Sequence, residues 1–259
     1  MIVGIPAFGL HDLTRQAAET AYHTAGNVRV VVFDNASPDP FTKDEFAAPV
    51  TVIRNRHNEG NWYPLRQMVD RWPDEDIYVL THNDMVFYEQ EWDVRVWDAF
   101  SSDSRFGMVG FAGSAVIGEN GERGPTASNL RGEKGESAEK AGYRTRDLVP
   151  ARAIDGLFMA VRNEAISALT LDRTLPPAHW YDYIWSAQIV EAGWLLATLG
   201  IDCDHIGWQT EVGMAEALIP EWARWVEEAG VPTRGDPMEA IRAAGWHRWN
   251  EFKPRYWPR

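Results

Sequence analysis

Short β-branched runs alternate with stretches of helical periodicity through the first third of the chain, the pattern of βαβ units wound around a largely parallel sheet. Ile2 to Ile5 reads as a first strand. Leu13, Ala17, Ala21 and Ala25 then recur at every fourth position, which predicts a helix over residues 12–25 lying on that sheet. Val28 to Phe33 forms a second strand. It is stopped by Asp34-Asn35-Ala36-Ser37-Pro38, residues that favour a turn through local side-chain bonding and a fixed φ. Val50 to Ile53, a helix over Trp62 to Arg71 and a strand over Ile77 to Thr81 continue the alternation. After Val109-Gly110-Phe111 the pattern dissolves. Residues 112–150 are rich in Gly, Glu, Arg, Lys and Ser without a sustained period, and a loop of that length is as a rule functional or disordered. Order returns with Leu157 to Val161, a helix from Tyr181 to Ala192 and a strand from Trp194 to Leu199. From about Val212 amphipathic helices are expected, followed by an aromatic, basic tail.

Composition narrows the class. A chain of 259 residues with 45% hydrophobic content can bury a full core, and one domain with an appendage is the expected organisation. The single cysteine, Cys203, excludes a disulfide within the chain and a Cys-based zinc cluster, and fits a reducing, cytoplasmic setting. The start, Met1-Ile2-Val3-Gly4-Ile5-Pro6, has neither the basic opening nor the apolar core of a signal peptide, and no apolar run reaches membrane-spanning length. A net charge of −13 argues against a broad face for nucleic-acid backbone, although the tail from Trp246 to Arg259 mixes cations with aromatics in a way that suits single strands or a membrane interface. The competing expectation is that this tail folds back over the rest of the chain. The 13 tryptophans suggest carbohydrate stacking, but Trp62, Trp72, Trp92 and Trp97 fall in helical patterns and read as core.

The richest chemistry sits where the strand ending at Thr81 runs into His82-Asn83-Asp84. Ligands of open α/β sheets gather at the carboxyl ends of the strands, and a carboxylate there can hold Mg2+ or Mn2+ against a diphosphate. Upstream, Val30-Val31-Val32-Phe33-Asp34-Asn35-Ala36-Ser37 and Asn55-Arg56-His57-Asn58-Glu59-Gly60-Asn61 place further polar groups at strand ends. Downstream stand Ile154-Asp155-Gly156-Leu157-Phe158-Met159-Ala160-Val161-Arg162, Trp180-Tyr181-Asp182-Tyr183-Ile184-Trp185 with Gly193 beyond, and Asp204-His205-Ile206-Gly207-Trp208-Gln209-Thr210.

In this order the segments resemble the family 2 glycosyltransferases of the GT-A type over roughly residues 1–210. The resemblance implies a Rossmann-like α/β fold: a mixed, mostly parallel sheet flanked by helices, with a small C-terminal helical extension. It implies a catalytic domain over 1–211, divided into a nucleotide-sugar half at about 1–111, a flexible loop at 112–150 able to close over donor or acceptor, and an acceptor half at about 151–211. The extension is then 212–259. His82-Asn83-Asp84 takes the place of the family's DXD motif, with His82 departing from its first acid. Metal ligation therefore falls to Asp84 together with His205. Donor contacts are implied for Pro6, Ala7, Asp34, Asn35, Asn58, Gly60, Asn61 and Asn83, and an acceptor pocket for Asp155, Gly156, Trp180 and Trp185. Asp182 matches the catalytic aspartate, while Tyr181 and Ile184 replace the acids beside it.

The activity so implied is transfer of a sugar, with inversion, from a nucleotide sugar to an acceptor hydroxyl, assisted by Mn2+ or Mg2+. By family habit the nucleotide is UDP, and the acceptor is a glycan, a protein, a lipid-linked glycan or a hydroxymethylated base in DNA. Two other classes stay open: a non-catalytic nucleotide-sugar binding module, and a sugar nucleotidyltransferase. Each residue also has a plainer role. Asp34 can simply close its turn, Asn58, Gly60 and Asn61 can form a tight turn, Asp182 can cap its helix, and His205 can be a hydrogen-bonded core histidine.

Overall fold

The computed structural model describes residues 1–117, 124–131, 142–206 and 249–250. The chain begins with β1 (Ile2–Ala7), α1 (His11–His23), β2 (Arg29–Asp34), β3 (Thr51–Arg54), α2 (Tyr63–Arg71) and β4 (Ile77–Thr81). Next come β5 (Met85–Phe87), α3 (Trp92–Ser102), β6 (Phe106–Gly110), β7 (Ala112–Ser114), β8 (Thr126–Ser128), β9 (Gly142–Arg144), β10 (Leu148–Ala151) and β11 (Ala153–Ile154). The described chain then runs through β12 (Phe158–Arg162), α4 (Tyr181–Glu191), β13 (Leu195–Leu199) and β14 (Cys203–His205).

The main sheet has eight strands in the order β10-β13-β6-β12-β4-β1-β2-β3. β1 runs parallel to both β2 and β4, and β2 parallel to β3, whereas β12 is antiparallel to β4 and β6, and β10 to β13. It is therefore the mixed, mostly parallel sheet that the sequence predicts. β1 and β4 are buried along their whole length, as strands covered on both faces must be. One face packs on α1 and α3 through Val3, Ile5, Ala17, Ala21, Trp92 and Val96, and the other on α2 and α4 through Leu65, Met68, Ile184 and Trp185. Gly4 makes the second contact possible, because a Cβ there would lie 2.7 Å from Met68 Cε.

The chain reverses its direction of travel across the sheet at β1, whose neighbours are β2 on one side and β4 on the other, and such a switch point opens a crevice at the strand ends. Pairing of β1 with β4 stops at Gly4↔Leu80. Pro6 lies beyond it, without an N–H to offer a neighbouring strand.

Two expectations are corrected. α1 buries Thr14, Ala17, Ala18 and Ala21 and ends at His23, so Leu13 lies at the margin of the buried face and Ala25 outside the helix. The stretch 112–150 is not a structureless loop where it is described: β7, β8 and β9 join β11 in a four-stranded sheet of order β11-β7-β8-β9, and β10 edges the main sheet. Its length and mixed polarity hide these strands, each three or four residues long and too short for a period to register. Of the extension expected over 212–259, only Trp249 and Asn250 fall within the described residues. Among those residues no helix is long and apolar enough to cross a membrane.

Candidate active site

His82 follows the last residue of β4 and Asp84 precedes the first of β5, so the three-residue turn sits at the crevice. β14 pairs antiparallel with β5 and sets His205 opposite Met85, while the Ile206 N–H donates to the Asp84 carbonyl at 2.9 Å. That hairpin-like pairing is what brings the second histidine in. His205 Nε2 lies 3.2 Å and His82 Nδ1 3.9 Å from Asp84 Oδ1, and the two rings approach to 3.4 Å between nitrogens. One ligand atom from each of the three residues fits within 4.8 Å of the others. Asp84 is 3% exposed, and its Oδ1 is buried without a well-directed hydrogen bond among the described residues.

The charges of this cluster are mutually dependent. Burial pushes the His82 pKa below the ordinary imidazole value against the pull of the Asp84 carboxylate, and His205 adds to the lowering. Burial works to raise Asp84, yet contact with His205 and the charges of both histidines hold it below the usual carboxylate value. For His205 burial acts downward, but Asp84, and with it Asp155 and Asp204, keep the pKa raised. A carboxylate buried beside two imidazoles, with an oxygen lacking a directed donor, suits a divalent cation.

Asp182 is the second residue of α4, where the helix N-terminus stabilises a carboxylate. Its Oδ1 accepts the Tyr183 N–H at 3.0 Å and its Oδ2 the Gly156 N–H at 3.2 Å. The turn that supplies Gly156 also reaches the cluster: the Leu157 carbonyl accepts from the His82 N–H and from Thr81 Oγ1, both at 2.9 Å. Asp155, Gly156 and Leu157 thus join the cluster to Asp182. Gly156 has to be glycine, since a Cβ would come within 2.5 Å of Tyr181 Oη.

The two tryptophans expected to shape a pocket part company. Trp185 is fully buried, with Nε1 donating to the Thr170 carbonyl at 2.8 Å, so it belongs to the core rather than to a pocket. Trp180 is partly exposed and sits at φ 72°, a left-handed conformation that is strained for a bulky side chain. Trp249, 1% exposed, stacks against Trp180 at 6.4 Å and meets Tyr183 edge-on at 5.6 Å. At this one turn the tail does fold back on the domain.

At the donor end the structure turns several expected contacts inward. Asp34 is fully buried and accepts from the N–H groups of Ser37 and Phe41 and from the Arg54 guanidinium. It builds the turn and anchors Arg54, whose second Nη donates to the Ser37 carbonyl at 2.9 Å. Arg54 was not expected at the site. The in-register pairing Asp34↔Arg54 of β2 and β3 is the signal that finds it. Asn35 donates to the Gly60 carbonyl and accepts from Asn55, Asn58 Oδ1 accepts the Gly60 N–H, and the Asn61 N–H donates to Pro177. Gly60 sits at φ 84°, which its tight turn requires. Asn83 donates to Thr14 of α1 at 3.0 Å, fixing the turn that bears His82 and Asp84. Pro6 and Ala7 close β1, and the Ala7 carbonyl accepts from Asn35.

Residues 73–195 match a family model described as a glycosyltransferase-like family. The fold matches a crystal structure of GalNAc-T7 with UDP, GalNAc and Mn2+, with a TM-score of 0.57 and 15% identity over 98% of this chain. The fold is therefore of the GT-A type. It spans 57% of the GalNAc-T7 chain that it matches. Comparison with curated proteins finds no match. The family match takes in His82, Asp84, Asp155 and Asp182 and stops before β14, so His205, expected beside Asp84 from the sequence, lies outside the matched residues.

Proposed function

We propose that the chain transfers a sugar from a nucleotide sugar to an acceptor hydroxyl, with inversion at the anomeric carbon. The observation that carries this reading is the turn at 155–157, which ties a His-Asp-His cluster to a carboxylate at a helix N-terminus. In the reaction the acceptor oxygen bonds to the anomeric carbon, the bond from that carbon to the diphosphate oxygen breaks, and the acceptor proton passes to Asp182. Backbone N–H groups on both Asp182 oxygens hold the carboxylate in place for that role.

His82, Asp84 and His205 would hold a divalent cation, which supplies neutralisation of the charge that gathers on the departing diphosphate. Two imidazoles among three donors favour Mn2+ over Mg2+, a hard cation that prefers oxygen. UDP is the proposed nucleotide, in keeping with the UDP and Mn2+ held by GalNAc-T7. Candidate acceptors remain glycans, proteins, lipid-linked glycans and hydroxymethylated DNA, and a cytoplasmic setting is part of the same proposal.

Replacing Asp182 tests the reading. Asp182→Asn keeps the size of the side chain and one acceptor oxygen, and should lower transfer by about 10²–10⁴-fold while Mn2+ and donor binding persist. Undiminished turnover would remove Asp182 as the base. Failure of every nucleotide sugar to stabilise the wild type against heat in the presence of Mn2+ would overturn the nucleotide-sugar reading itself.

A further inference from the structure

We propose that Arg131 is a positioning residue for the metal cluster: by clamping Asp202 it fixes the strand that carries His205. The inference rests on the cation reading of the same site.

Strand geometry sets the need. β5 and β14 form a sheet of two strands, each three residues long. A two-stranded ribbon is marginal by itself and twists more strongly than a wider sheet. His205 is the last residue of β14, so a change of twist moves its imidazole most. The other two members of the cluster are held independently of β14, because the His82 N–H donates to the Leu157 carbonyl and Asn83 between them donates to Thr14. How β14 lies therefore sets the distance from His205 to both.

The chain after β8 takes the other edge of β14. Leu130 bridges Cys203 in parallel, and the Arg131 N–H donates to the Cys203 carbonyl at 2.9 Å. Leu130 is buried in the same core as Val3 and Trp92, and its carbonyl accepts from Arg144 at 3.0 Å. From this anchored point the Arg131 guanidinium reaches Asp202 through two bonds of 2.6 Å, Nε to Oδ1 and Nη2 to Oδ2, and its centre stands 3.8 Å from that of the Tyr88 ring. Asp202 in turn grips the chain just past β5. Its carbonyl accepts the Tyr88 and Glu89 N–H groups at 3.0 Å, and its own N–H donates to Glu89 at 2.8 Å. Core, β5 and β14 are thus joined one residue before β14 begins.

Chemistry makes the clamp directional. A planar guanidinium that meets a carboxylate with two bonds fixes orientation as well as distance, which the point charge of a lysine does not. The two side chains are 45% and 30% exposed, so the pair adds little to stability and its effect is on geometry. Charge gives the inference a sign. Removing the Arg131 cation should by charge alone favour binding of Mn2+, whereas loss of the clamp should weaken it.

The experiment is titration of the full chain with Mn2+, free Mn2+ being followed by its EPR signal. It compares the wild type, Arg131→Gln, Arg131→Lys, His205→Ala and each Arg131 variant combined with His205→Ala. Far-UV circular dichroism without metal shows that each is folded. Arg131→Gln loses the charge and Arg131→Lys keeps it, yet both should bind Mn2+ about two- to fivefold more weakly, the scale of one partly exposed ion pair. With His205 already replaced, neither substitution should change the affinity, because the clamp acts through that imidazole. Affinity that is unchanged or tighter in either single variant, or a loss that persists undiminished with His205→Ala, overturns the role of Arg131 and leaves the cation reading standing. Absence of Mn2+ binding by the wild type overturns both.

Discussion

At the scale of residues, the cluster sets one buried carboxylate beside two imidazoles whose pKa values are pushed in opposite directions. His82 is the residue that departs from the expected acid, yet it stands within 3.9 Å of Asp84 and 3.4 Å of His205. Changing His82 or His205 to Ala should each weaken Mn2+ binding by at least about tenfold, the lower range seen even for partners outside the ligand shell, with calorimetry as the measurement. An unchanged affinity in His82→Ala would leave Asp84 and His205 as the ligands among the described residues. A second pair acts on stability instead. His11 at the start of α1 contacts Glu45 at 2.6 Å and stacks on Phe41 at 4.0 Å. Burial works against the protonated imidazole, but Glu45 and Asp39 raise the His11 pKa overall, and the hydrogen bond from His11 leads in lowering that of Glu45. The His11 contribution is complete below its unfolded value of 6.5 and lost as pH rises through the raised folded value. The Glu45 contribution is complete above 4.5 and lost as pH falls through the lowered one. The stability difference between wild type and His11→Ala should therefore peak between these values. Its ionic part should be under about 1 kcal/mol and fade as pH rises through the raised His11 value, as followed by urea denaturation.

At the scale of elements, two glycines make contrasting predictions. Gly156→Ala drives a Cβ to 2.5 Å from Tyr181 Oη, and Tyr181 is 2% exposed and packed edge-on against Trp185, so α4 has to shift. The expected cost is about 1–3 kcal/mol of stability, read by chemical denaturation, with a loss of transfer as Asp182 moves. Gly4→Ala meets chiefly the tip of the flexible Met68 side chain, with the Phe33 ring at 3.2 Å, and should cost less in the same assay. The elements themselves were largely legible, because β1, β2, β4 and β12 are apolar runs bounded by turn residues, and α4 starts and stops within a residue of the periodic pattern. The boundary positions of Asp84 and Asp182 were legible for the same reason, one just before β5 and one in the first turn of α4. His82 with His205 was not, since it depends on β14 pairing with β5 far along the chain. Arg54 beside Asp34 was not legible, because a strand-end aspartate looks the same in sequence whether or not a guanidinium meets it. Trp185 misleads because it is only five positions from Trp180, on the face of α4 that turns into the core.

At the scale of the whole molecule, the aromatic tail and the family-like core meet at Trp249. This side chain is almost wholly buried, 69 residues after Trp180 in sequence yet stacked against it. Trp249→Ala should cost about 3–5 kcal/mol where it packs, measured by chemical denaturation, because a large aromatic leaves an equally large cavity. A near-zero change would show that the tail is not part of the cooperative unit. The two histidines of the cluster are likewise remote, 123 positions apart, with β6, β10, β12 and β13 of the main sheet, the small sheet and α4 all formed from the chain between them. During synthesis His82 and Asp84 emerge long before their partner. If the cluster holds a cation as proposed, a nascent chain that has not yet delivered β14 would offer it two of the three donors, and loading would wait for the last of the described strands.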